Sequence, residues 1–181
     1  MKTWDSGKEQ DKLLNKLERQ QRQQAFKQDR FLKFKLPEIH NKLSQTLLMK
    51  RIIETDNPTA ISGLILNGLK KAMRSQEFDF KYFIAPIRDL VPRPNPHSLY
   101  MTQYIMEVMI DDPNVIDIYG TDEEIYEAVN EVFSKIRTQF ERAEEEIVAQ
   151  LARDKSVVPG SRDYEIALEQ LIRKKLGDPQ K

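Results

Sequence analysis

The chain of 181 residues has two histidines, His40 and His97, and no cysteine. Neither histidine has a second histidine or a carboxylate at a ligand-like spacing such as His-x-x-x-His, so each reads as a solvated or capping residue and not as a base or metal ligand. Without cysteine there is no disulfide, no thiolate metal site and no thiol nucleophile, and a reducing compartment, the cytoplasm, is the expected setting. The glycines form no phosphate cradle, since the chain has neither GxxxxGK(S/T) nor GxGxxG, and GxSxG is missing as well.

Carboxylates crowd one stretch: Asp111, Asp112, Asp117 and Asp122, with Asn114 between them. A calcium loop of the EF-hand type needs oxygen ligands at positions 1, 3 and 5 and glycine at 6. Counting from Asp112 puts Ile116 at position 5 and Asp117 at 6, so the pattern fails and a solvated acidic turn is expected. Glu123/Glu127 and Glu141/Glu145 are spaced i,i+4, but acid–base work needs carboxylates that converge in a pocket with their pKa values driven apart. Exposed helical carboxylates are the expectation. No catalytic residue, cofactor site or metal site is predicted, and the chain reads as non-enzymatic.

The basic residues are better organised. Lys8, Lys12, Lys16, Arg19, Arg22, Lys27, Arg30 and Lys33 advance in steps of three to five, so most fall in one broad stripe along a helix. Such a stripe suits an acidic protein surface, phosphate backbones or anionic lipid. Glu9, Asp11, Glu18 and Asp29 dilute it, and Phe26, Phe31 and Phe34 offer an alternative, anchoring face.

Residues 8–35 lack Gly and Pro and are rich in strong helix formers, which predicts a basic helical arm over residues 1–35. Its heptad seam is poor, because Leu14 and Leu17 are followed by Gln21, Gln24, Gln28 and Phe31. At best this is a short, glutamine-interrupted coiled coil. Pro37 should open the first core helix, with Ile39, Leu43, Leu47 and Ile52/Ile53 on its buried face through residue 54. Asn57 and Pro58 should cap and start a second helix, in which Gly63 and Gly68 would let a neighbouring helix approach. Residues 78–91 alternate like a strand but also fit a helix, which is favoured because no partner strand is evident. Three prolines in residues 91–96 mark a hinge. Asn95 and Pro96 should then open a helix to about Ile110 that buries Met101, Tyr104, Ile105, Val108 and Met109.

Residues 115–120 read as an extended connector without a ladder. Thr121 and Glu124 form a capping box for a long acidic helix of about 30 residues, with an apolar stripe from Ile125 to Leu151. Ser161 caps a last helix that stops at Gly177. A shared cap-and-helix grammar links residues 112–130 to 154–172 without amounting to a repeat.

The fold class predicted is all-α: a bundle of five to six core helices over residues 36–181, preceded by the arm. Apolar residues make up 39% and charged residues 32%, which suits a thin core. The polar start gives no secretory signal, and no uncharged run approaches the ~20 residues of a membrane span, so integral membrane placement is not expected.

The formal net charge of zero hides a polarity: residues 1–94 carry +8 and residues 95–181 carry −8. Most of it lies in residues 1–35, at +5, and residues 107–146, at −10. The expectation is a protein-interaction or scaffolding protein whose basic arm and acidic rod meet complementary surfaces, as a homodimer or on another protein. Nucleic-acid binding through the arm is the alternative.

Overall fold

A computed structural model describes residues 6–74, 95–154 and 156–177. Among these the fold is all-α, with five helices and one two-residue ladder. They are α1 (Ser6–Met49), α2 (Pro58–Arg74), α3 (Pro96–Asp111), α4 (Asp122–Leu151) and α5 (Arg162–Leu176), with strands β1 (Ile53–Glu54) and β2 (Asp117–Ile118). The expected 78–91 helix and most of the proline hinge lie outside the described residues.

The chain divides into two compact units, residues 35–139 and residues 1–34 with 140–181. α1 and α4 therefore contribute their two ends to different units.

α1 corrects the first boundary expected. Pro37 does not begin a helix; it lies inside one that runs unbroken through 44 residues. The proline withholds one N–H from the carbonyl of Lys33, a penalty of about 3 kcal/mol in a helix interior. Burial offsets it: Phe31 and Leu32 are buried before it, and Ile39, Leu43 and Leu47 are fully buried after it, each of these worth about 1.5–3 kcal/mol.

The second correction is where α1 ends. Ile52 and Ile53 are not its last turn. Arg51 adopts φ 54°, Arg51 N–H donates to Leu48 O (3.1 Å) and Ile52 N–H donates to Leu47 O (3.0 Å). This is a Schellman stop, in which the residue in the left-handed region is Arg in place of the usual Gly. Ile52, the residue after it, is buried like Leu47, giving the motif its apolar contact.

The freed segment becomes β1 and pairs antiparallel with β2, Ile53 opposite Ile118 and Glu54 opposite Asp117. The 115–120 connector thus does have a ladder, and its partner was hidden in residues whose spacing resembled a helix. Ile116 N–H donates to Glu54 O (2.8 Å) and Tyr119 N–H to Ile52 O (2.7 Å), extending the pairing at both ends. A Cβ at Gly120 would sit 2.7 Å from Ile52 Cγ2, so only glycine lets the connector pass.

Within unit 35–139, α2 packs on α3. Gly68 makes the close approach: a Cβ there would meet Val108 Cγ2 at 3.0 Å and Tyr104 O at 3.2 Å. Gly63 does not share this role, for it is exposed with open space around it. α3 starts as expected, with Asn95 Oδ1 accepting from His97 N–H (3.0 Å) and Ser98 N–H (3.3 Å). It is buried on more sides than an amphipathic stripe predicts, taking in Ser98, Thr102 and Gln103 as well as Met101, Ile105, Val108 and Met109. Tyr104, expected in the core, is only half-buried.

α4 has the expected 30 residues, and Ile125, Val129, Val132, Phe133, Ile136, Phe140, Ile147 and Leu151 are its buried stripe. Glu124 N–H donates to Thr121 Oγ1 (3.1 Å) at its cap. In the other unit, Ser161 Oγ accepts from Tyr164 N–H (3.2 Å) to open α5, and Gly177 closes it. The core of that unit joins Phe31, Leu32, Phe140, Ile147, Leu151, Leu168 and Ile172.

Candidate functional site

α1 presents its basic residues in two stretches with different fates. Lys12, Lys16, Arg19 and Arg22 are exposed, and no ion pair joins them to another described residue; Arg19 Nε only donates back to Asn15 O (3.4 Å). Lys8, one turn earlier, is also exposed. Leu13, Leu14 and Leu17 interleave with them and are 58%, 56% and 45% exposed. Large apolar side chains seldom stay this open in a row without a partner.

The second stretch is docked. Lys27 Nζ lies 3.7 Å from Glu141 Oε1, and Lys33 pairs with Glu169. Between them Arg30 is buried: its Nη1 donates to Glu165 and its Nη2 donates to Glu144 Oε1 (3.3 Å). The guanidinium thus ties α1 to both α4 and α5. Phe31 follows on the same surface, its ring centroid 5.8 Å from that of Phe140, and Phe34 stacks on Phe140 at 6.4 Å.

Electrostatics at Arg30 are unbalanced, with one cation between two carboxylates. Glu144 is 5% exposed. Burial pushes the Glu165 carboxyl above its ordinary value, and the charges of Glu144 and Glu169 add to this against the pull of Arg30. Glu169 moves the other way, because its hydrogen bond from Lys33 favours the carboxylate. A groove of about 510 Å³ opens beside the cluster, lined by Arg22, Arg30, Lys33 and Arg162 as well as Glu165 and Glu169. Its charges are mixed, and Arg30 with Glu165 and Lys33 with Glu169 are spent on one another.

Reading the stripe from sequence placed all eight basic residues in one class. In the structure Lys27, Arg30 and Lys33 hold the fold of their own unit, and the rest face solvent. Glu144 is the buried carboxylate that sequence reasoning missed, along with Glu165 and Glu169 at the same cluster; for Glu144 the sequence carried a signal. It falls four residues after Phe140 and three before Ile147, on the buried stripe and not on the exposed face assigned to its neighbours.

The histidines are also placed. His97 sits in the first turn of α3, where its N–H is capped by Asn95. His40 is half-buried, with its Nδ1 2.8 Å from Ser62 Oγ, while Ser62 Oγ donates to Asn41 Oδ1 (2.7 Å). The hydroxyl proton is thereby directed to Asn41, so Ser62 accepts from His40 Nδ1–H and the pair ties α1 to α2. A nucleophilic serine would need the opposite arrangement, with its proton given to the imidazole. Burial lowers the His40 pKa, consistent with a neutral ring.

Among the described residues no three His, Asp or Glu side chains converge as metal ligands, and no helix is long and apolar enough to cross a membrane. Compared with protein-family models, curated proteins and solved structures, the chain has no match.

Proposed function

We propose that this chain is a non-enzymatic, cytoplasmic helical interaction protein, whose basic arm engages acidic helical surfaces and through which it self-associates. The observation that carries this reading is the split fate of the arm. Its Lys27–Lys33 stretch is held by carboxylates from two helices, while Lys12, Lys16, Arg19 and Arg22 extend the same basic character into solvent beside three exposed leucines. An arm that carries cations on one face and leucines on the adjoining one recognises another protein surface better than it does a polyphosphate, which would use the charges and leave the leucines wet.

The test is sedimentation velocity of the full chain over a concentration range at low and high salt. Association at low salt that recedes as salt rises is expected, because exposed ion pairs are screened. A monomer under both conditions would sink the reading. So would tight, steeply salt-dependent binding of DNA or RNA that Lys12→Glu/Lys16→Glu abolishes, since the arm would then serve phosphate backbones.

A further inference from the structure

The exposed part of the arm repeats the chemistry of the docked part on the same side of the helix. Arg30-Phe31-Leu32 is buried, whereas Lys12-Leu13-Leu14, eighteen residues earlier, has the same order of one cation and two large apolar residues. Eighteen residues are about five full turns, so each residue of one triplet points the same way from the α1 axis as its counterpart in the other. The docked triplet meets carboxylates on α4 and α5, which defines what the exposed one would recognise: an acidic helix face with apolar surface beside it.

One such face in the described residues is open. Glu124, Glu127 and Glu131 lie along the solvent side of α4, and all three are exposed. Glu124 and Glu127 have no ion-pair partner among the described residues, and Glu131 has only the exposed Lys50, at 3.0 Å. Ile116 and Tyr119, just before this helix, are 51% and 63% exposed.

The spacings select an orientation. Lys12, Lys16 and Arg19 are separated by four and then three residues; Glu131, Glu127 and Glu124, read backwards, are separated by four and then three. Two antiparallel helices therefore bring Lys12 to Glu131, Lys16 to Glu127 and Arg19 to Glu124, whereas a parallel pairing leaves one of the three out of step. The next step of the antiparallel register would oppose Lys8 to Lys135, which ends the strip at Lys12.

We infer that the exposed arm of one copy docks antiparallel on the Glu124–Glu131 face of α4 in a second copy of this chain. This register presupposes the self-association proposed above and gives it specific partners.

The experiment separates the two. Sedimentation of full-length Lys12→Glu/Lys16→Glu and of Glu127→Lys/Glu131→Lys should each show association weakened by at least about tenfold, since like charges are then opposed. The variant with all four substitutions should recover it. Glu124 is left unchanged because its backbone takes part in the α4 cap. The chain has no cysteine, so mixing Lys16→Cys protein with Glu127→Cys protein and oxidising should yield a mixed disulfide that can form only between copies. If the unsubstituted chain associates but the four-residue variant stays dissociated and the mixed disulfide does not form, the register is wrong while self-association stands. If the unsubstituted chain is monomeric at every concentration in low salt, both fail.

Discussion

Arg30 and Lys27 are both basic residues of one stripe with a carboxylate partner, and their surroundings set them far apart in energy. Arg30→Ala would leave the buried Glu144 and the half-buried Glu165 beside each other without a cation, and breaking a buried ion pair from one side costs about 3–5 kcal/mol. Lys27→Ala removes a partner that is 49% exposed, from a carboxylate that is 37% exposed, and should cost less than about 1 kcal/mol. Urea denaturation of the two variants checks this; equal losses would mean that burial does not govern the cluster. Glu165 supplies a pH signature. Its carboxyl is raised above the ordinary value near 4.5, so the folded chain holds this proton more tightly than the unfolded chain does. Its contribution to stability is then complete below about 4.5 and is lost as pH rises through the raised value. Glu165→Gln, which carries no titrating proton, should show its stability difference from the unsubstituted chain changing over that window, most favourable to Gln near neutrality. A difference that stays flat from acid to neutral pH would refute the shift.

Among the elements, those written in local grammar were legible. Asn95, Thr121, Ser161 and Gly177 bound their helices as read, because a cap is decided by residues within three or four positions. What misled were the places where distant packing overrides a local preference. Pro37 locally favours a helix start, but burial on either side carries α1 through it. Ile52 and Ile53 continue a helical spacing, yet a stop at Arg51 takes both out of the helix and starts at Ile53 a strand whose partner lies more than sixty residues away. That stop is made with a costly residue. An L-amino acid in the left-handed region gives up about 1–2 kcal/mol, part of which glycine would return while losing some unfolded-state entropy. Arg51 is exposed, so Arg51→Gly should stabilise the chain by about 0.5–1 kcal/mol, seen as a higher urea midpoint at unchanged slope. A loss of stability would show that the arginine side chain contributes something its exposure does not reveal.

For the whole molecule, the opposed charges of the two halves were visible in the sequence, but not which acid answers which base. Arg30 reaches Glu144 across 114 residues and Glu165 across 135, and no local spacing rule connects residues so far apart. The charge count does make a prediction that needs no such pairing. With a formal net charge of zero and a pI near 6.8, no net repulsion keeps copies apart at neutral pH, and under the proposed self-association the +8 and −8 sequence halves would attract across copies. Static light scattering near neutrality should therefore give a negative second virial coefficient at low ionic strength. Adding salt to about 0.1–0.15 M, where the Debye length falls to about 8–10 Å, should raise it towards zero. Lys12→Glu/Lys16→Glu lowers the net charge by four and removes part of the complementary surface, so its coefficient should be positive at low salt and fall as salt is added. An unsubstituted chain whose coefficient is positive at low salt and falls with added salt would show that its copies repel one another despite the zero net charge, and that the two halves do not attract across copies.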